Sequence, residues 1–202
     1  MTYGDGLEDC YPEQIHPSKF AWPQIIADQL GLECVNKASP GSSNKKICHE
    51  IINFKFEPDD LVFVQWSYRE RSTFYKSKEE FTNIGHWATD PISVFYNTNY
   101  SEYDSNLNNK VYIGYANVFL KQQNIKFYNI LLKKTDRDLI TTFNHIPLYI
   151  CDYREKFTRA LDGMHPGHES HLEFSRALLK HLNINSSIPK QKKLPLLKRI
   201  FK

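Results

Sequence analysis

Near its carboxyl end the sequence reads Asp162-Gly163-Met164-His165-Pro166-Gly167-His168. A carboxylate three positions ahead of an imidazole, on a loop that leads into a helix, lets the aspartate orient the ring while the other ring nitrogen takes a proton. Such a pair needs only a hydroxyl nucleophile to complete a hydrolytic triad. Farther up the chain, Ala38-Ser39-Pro40-Gly41-Ser42-Ser43-Asn44 opens a helical pattern. A glycine amide near a helix start is suited to face a developing oxyanion, which singles out Gly41. A third polar run, Ser67-Tyr68-Arg69-Glu70-Arg71, follows the apolar stretch Leu61–Trp66. It falls at a strand's carboxyl end, where open α/β sheets bind ligands.

His165, His168 and His171 are spaced by three, which raises the question of a metal. Steps of three turn a helix by about 300°, so they form only a loose stripe, and Pro166-Gly167 interrupts the first pair. Histidines bonded to nearby backbone are the preferred reading, and neither a metal nor a cofactor is expected.

These residues must be held by a layered fold. Leu61–Trp66 and residues 126–132 read as buried parallel strands, and residues 33–36 as a shorter one. Helical spacing covers Trp22–Leu30, closed by Gly31, and residues 43–54, 109–123 and 168–182. On the 109–123 helix the apolar positions are Val111, Tyr115, Val118 and Phe119. Residues 147–161 fit strand or helix. This alternation predicts an α/β fold with helices on both faces of the sheet. Residues 72–108 break the rhythm with many Tyr, Phe, Asn and Ser, and read either as a lid or binding loop or as a packed surface excursion.

The chain has 202 residues, 41% hydrophobic and 24% charged, enough for one domain with a sizeable core and unlike a disordered or disulfide-scaffold chain. No apolar run approaches the length of a membrane-spanning helix. The acidic, polar start lacks the basic and apolar regions of a secretory signal, so the expectation is a cytoplasmic protein with four reduced cysteines. Residues 189–202 hold Lys190, Lys192, Lys193, Lys198, Arg199 and Lys202 with no acid. They read as a solvated basic tail behind a domain of residues 1–188, with no specific nucleic-acid partner expected and contact with an anionic surface left open.

Taken in order, Thr2-Tyr3-Gly4-Asp5-Gly6-Leu7-Glu8-Asp9, Ala21-Trp22-Pro23, residues 36–44, Trp66-Ser67-Tyr68-Arg69-Glu70-Arg71 and the Asp162 to His165 loop resemble the motif series of the SGNH hydrolases, the GDSL lipase/esterase family. The likeness spans nearly the whole chain. It implies a three-layer, flavodoxin-like α/β/α fold with a mostly parallel sheet. It further implies hydrolysis of an ester, either a carbohydrate O-acyl ester or a lipid-like acyl ester. Asp162 and His165 match the family's acid and base, and Gly41 its second-block oxyanion glycine. The third-block asparagine falls near Ser67, whose hydroxyl can donate instead.

The family's nucleophilic serine stands two residues before the threonine of T-Y-G, which here lies immediately ahead of Met1. The strand leading into that serine is likewise not in the sequence. An internal start, a truncated relative and a substitute serine are the three readings of this. Ser39, Ser42 and Ser43 are equally explained as caps, and Thr2 as part of a frayed terminus. A non-catalytic remnant or ligand-binding protein on the same fold is the alternative to an enzyme.

Overall fold

Three parallel strands form the central sheet, in the order β1 (Leu61–Trp66), β4 (Lys126–Leu131), β5 (His145–Tyr149). The computed structural model of the chain describes residues 2–13, 16–86, 89–140, 143 and 145–184. The basic tail and Trp87 lie outside the described residues.

Alternation along β4 sorts the core into two layers, as a strand buried on both faces requires. Leu131 packs with Cys48, Ile51, Val64, Trp66, Ile113 and Leu120 on one face. Its neighbour Ile130 points the other way, into Trp22, Ile26, Ile146, Phe174 and Leu178. The first layer is covered by α2 (Asn44–Asn53) and α4 (Glu102–Gln122), the second by α1 (Trp22–Leu30), α5 (Ile150–Arg154) and α6 (His168–His181). Among the described residues no helix is long and apolar enough to cross a membrane.

Local chemistry sets the element ends. Gly31 closes α1 in the left-handed region at φ 67°, and the Ser43 hydroxyl caps α2 by accepting from the Lys46 N–H. The ambiguous stretch 147–161 divides, finishing β5 and then turning into α5.

Two expectations need correction, and one stretch left open takes a definite form. Residues 33–36 pair with no strand; they line a groove together with β1, the edge of the sheet. The described part of residues 72–108 holds a hairpin of β2 (Ser72–Tyr75) and β3 (Phe81–Ile84), then α3 (Pro91–Thr98), then the start of α4. The hairpin is fastened to α2: Thr73 Oγ1 lies 2.6 Å from Ser43 Oγ, and Lys46 Nζ sits 4.0 Å from the centre of the Phe81 ring. Finally, α4 begins at Glu102, with Ser101 as its cap and Asp104 in its first turn, seven residues before the apolar pattern announces it. It buries Ile113, Ala116 and Leu120 and leaves Val111, Tyr115 and Val118 exposed.

Candidate active site

The structure brings Asp162 and His165 together. Asp162 Oδ2 lies 2.5 Å from His165 Nδ1, while Asp162 Oδ1 accepts from the N–H groups of Met164 and His165 at 2.8 and 3.0 Å. One carboxylate therefore fixes both the loop and the ring. Burial pushes the Asp162 carboxyl up, but the hydrogen bonds from the His165 N–H, its ring and the Met164 N–H outweigh it and hold the group below its ordinary value. Asp162 stays ionised, as the orienting member of a triad must.

The loop is seated on the amino-terminal turn. Leu161 N–H donates to Gly6 O at 2.9 Å, and Ala160 N–H to His165 O at 2.9 Å. A Cβ on Gly6 would stand 2.6 Å from Asp162 Cγ, and Gly6 has φ 79°. Only glycine satisfies both conditions. The same turn carries Asp5, whose buried Oδ2 lies 3.9 Å from His165 Nε2 and whose Oδ1 is buried without a hydrogen-bond partner. His165 is thus bracketed by two carboxylates, the second invisible in the spacing of the sequence because 160 residues separate it from the ring.

Thr2 is tied down rather than frayed. Its hydroxyl donates to Gln65 Oε1 near the end of β1, and its carbonyl accepts from Asn36 Nδ2 at 2.8 Å. Gln65 therefore serves as an anchor for the amino-terminal turn.

Ser67 is held by Asn44. Asn44 Oδ1 accepts the Ser67 N–H at 2.6 Å, and its Nδ2 donates to Ser67 O at 3.2 Å and to Asn109 Oδ1 at 2.7 Å. The Ser67 amide is thereby occupied, so any oxyanion contact falls to its hydroxyl. That oxygen accepts from Arg71 Nη1 at 3.3 Å and keeps its own proton to donate. Of the polar run after β1, Arg69 is structural: it binds Asp136 and Asp138 at 3.1 and 2.7 Å.

Gly41, Ser67, Arg71, Asp5 and His165 line one groove of about 880 Å3. Its apolar floor runs along β1 and the facing residues 32–41, with Ile26, Ile51 and Phe63 among the walls. β1 is the edge strand there, so alternate backbone groups of Leu61–Trp66 face the groove. Among the described residues, none of 72–108 lines it; Tyr75 instead stacks on His49 of α2, with ring centres 4.6 Å apart.

The other histidines are accounted for locally. His168 packs its ring on Phe20 at 4.9 Å. His171 is fully buried, accepts the Trp22 N–H on Nδ1 at 3.1 Å, and is pushed down to about 3 by burial. Among the described residues no three His, Cys, Asp or Glu side chains converge as metal ligands. Compared with known proteins, the chain matches no family model, no curated protein and no solved structure.

Proposed function

We propose that this chain is the body of an SGNH-type serine hydrolase acting on an ester, with the attacking hydroxyl delivered from a strand in the groove beside β1. The observation that carries the reading is the Asp162–His165 pair, which opens onto the groove that Gly41 and Ser67 also line. His165 Nε2 would take the proton of the hydroxyl and return it to the leaving alcohol, while Asp162 holds the ring through Nδ1. The amide of Gly41 and the hydroxyl of Ser67 would share the negative charge of the tetrahedral intermediate.

The groove supports the origin of the nucleophile. A strand laid parallel to β1 would cover its unpaired edge, fill the apolar floor and reach Thr2, which is anchored between Gln65 and Asn36. Its last residues would enter the site beside His165. The substrate class is a carbohydrate O-acyl ester or a lipid-like acyl ester.

Hydrolysis of p-nitrophenyl acetate tests this. The 202-residue chain and its His165→Ala variant should hydrolyse it at the same slow rate, since among the described residues no hydroxyl is hydrogen-bonded to Nε2. A clear drop in the variant would assign the nucleophile to a residue already present and overturn the strand as its source.

A second reading, a ligand-binding protein on the same fold, is favoured by one contact: the Asp5 carboxylate lies 3.9 Å from His165 Nε2. It is separated from the first by supplying a serine ahead of Met1, which gives turnover only in a hydrolase.

A further inference from the structure

Helix α4 is apolar on two sides. One side, with Ile113, Ala116 and Leu120, is buried in the core shared with α2 and the sheet. The other carries Tyr103, Leu107, Val111, Tyr115 and Val118, all about half exposed or more, with Tyr103 at 79% and Val111 at 58%. Steps of four, four, four and three keep these side chains in one stripe about 22 Å long. A surface helix ordinarily presents charge on that side, and a continuous apolar stripe there marks an interaction site. Phe95 of α3, 67% exposed, stands near the first half of α4, where it lines a cavity of about 250 Å3 with Asp104 and Asn108.

We propose that this face is the interface of a symmetric dimer, with α4 of one copy packed antiparallel on α4 of a second about a two-fold axis at Val111. The middle of the stripe is symmetric about that residue, since Leu107 and Tyr115 stand four positions to either side. The axis therefore sets Leu107 of each copy beside Tyr115 of the other. The charges are complementary in the same sense: Asp104 lies in the first turn and Lys121 in the last. Antiparallel pairing brings unlike ends together and opposes the helix dipoles, whereas parallel pairing sets like against like. None of the stripe residues lines the groove of His165, so the dimer stands or falls apart from the hydrolase reading.

Sedimentation equilibrium of the full chain tests the proposal. The expected result is a concentration-dependent mass approaching twice 23.8 kDa, and association weakened at least a hundredfold in the Leu107→Glu, Val111→Glu double variant. Both positions face solvent in the monomer, so the circular dichroism and melting of the variant should match the parent. Mild oxidation should cross-link Val111→Cys across the axis beyond the parent's background. It should spare Val118→Cys, whose two copies would lie about 21 Å apart along the helices. A monomer at every concentration up to about 200 µM, a dimer that survives the double variant, or a cross-link through Val118→Cys would overturn it.

Discussion

Asp162 rests directly on Gly6: a methyl group on that glycine would meet the carboxyl carbon at 2.6 Å. The orienting acid of the site is thus placed by a turn more than 150 residues away, through one missing side chain and one backbone hydrogen bond, Leu161 N–H to Gly6 O. Gly6→Ala adds a left-handed backbone cost of about 1–2 kcal/mol to the steric clash. A lower denaturation midpoint is expected, together with altered NMR signals of the His165 ring. Unchanged ring signals would separate the turn from the site.

The ionised state of Asp162 gives a pH signature. A carboxyl held below its ordinary value contributes stability that is present above the unfolded value, about 3.9, and is lost as pH falls through the folded one. Asp162→Asn should therefore be less stable than the parent at pH 7, and the gap should close on acidification below about pH 4. Urea denaturation at several pH values measures this. A gap that stays constant with pH would show that the charge is not what the loop binds.

His171 acts in a different window. Its ring is neutral in the folded chain, with its value pushed down to about 3, and takes up a proton near 6.5 on unfolding. The unfolded state then binds more protons between these values, so stability falls as pH drops from about 6.5 toward 3, at up to about 1.4 kcal/mol per pH unit. His171→Gln keeps an acceptor for the Trp22 N–H but cannot titrate. Its stability should depend less steeply on pH across this window, as read from chemical denaturation.

Asn44 is the polar keystone behind Ser67. Asn44→Ala strands the Ser67 N–H and the Asn109 Oδ1 in a buried setting, at a cost of about 2–4 kcal/mol. Thermal unfolding should show the loss, whereas Ser67→Ala, which keeps the backbone bonds, should be nearly neutral.

The layered α/β plan was legible because its signals are local: apolar runs for β1 and β4, Gly31 closing α1, Ser43 capping α2. The Asp162 to His165 loop was legible for the same reason, since both partners lie within one turn of chain. What escaped depends on distant pairing. Asp5 faces His165, and Asn44 clamps Ser67, through contacts that no spacing records. Residues 33–36 have strand chemistry and no strand beside them to pair with. On α4 both faces are apolar, so composition alone does not say which one turns inward; Asn109 and Asn117, bonded to Asn44 and Asn129, mark the buried side instead.

If His165 and Asp162 serve a hydroxyl carried on a strand beside β1, as we propose, supplying that strand should complete the site. An apolar strand ending in Gly-Val-Ser, joined ahead of Met1, should slow amide exchange along Leu61–Trp66 and confer p-nitrophenyl acetate hydrolysis. That activity should disappear with alanine at the added serine or at His165. A strand that protects β1 yet yields no turnover, or turnover indifferent to His165→Ala, would contradict the account.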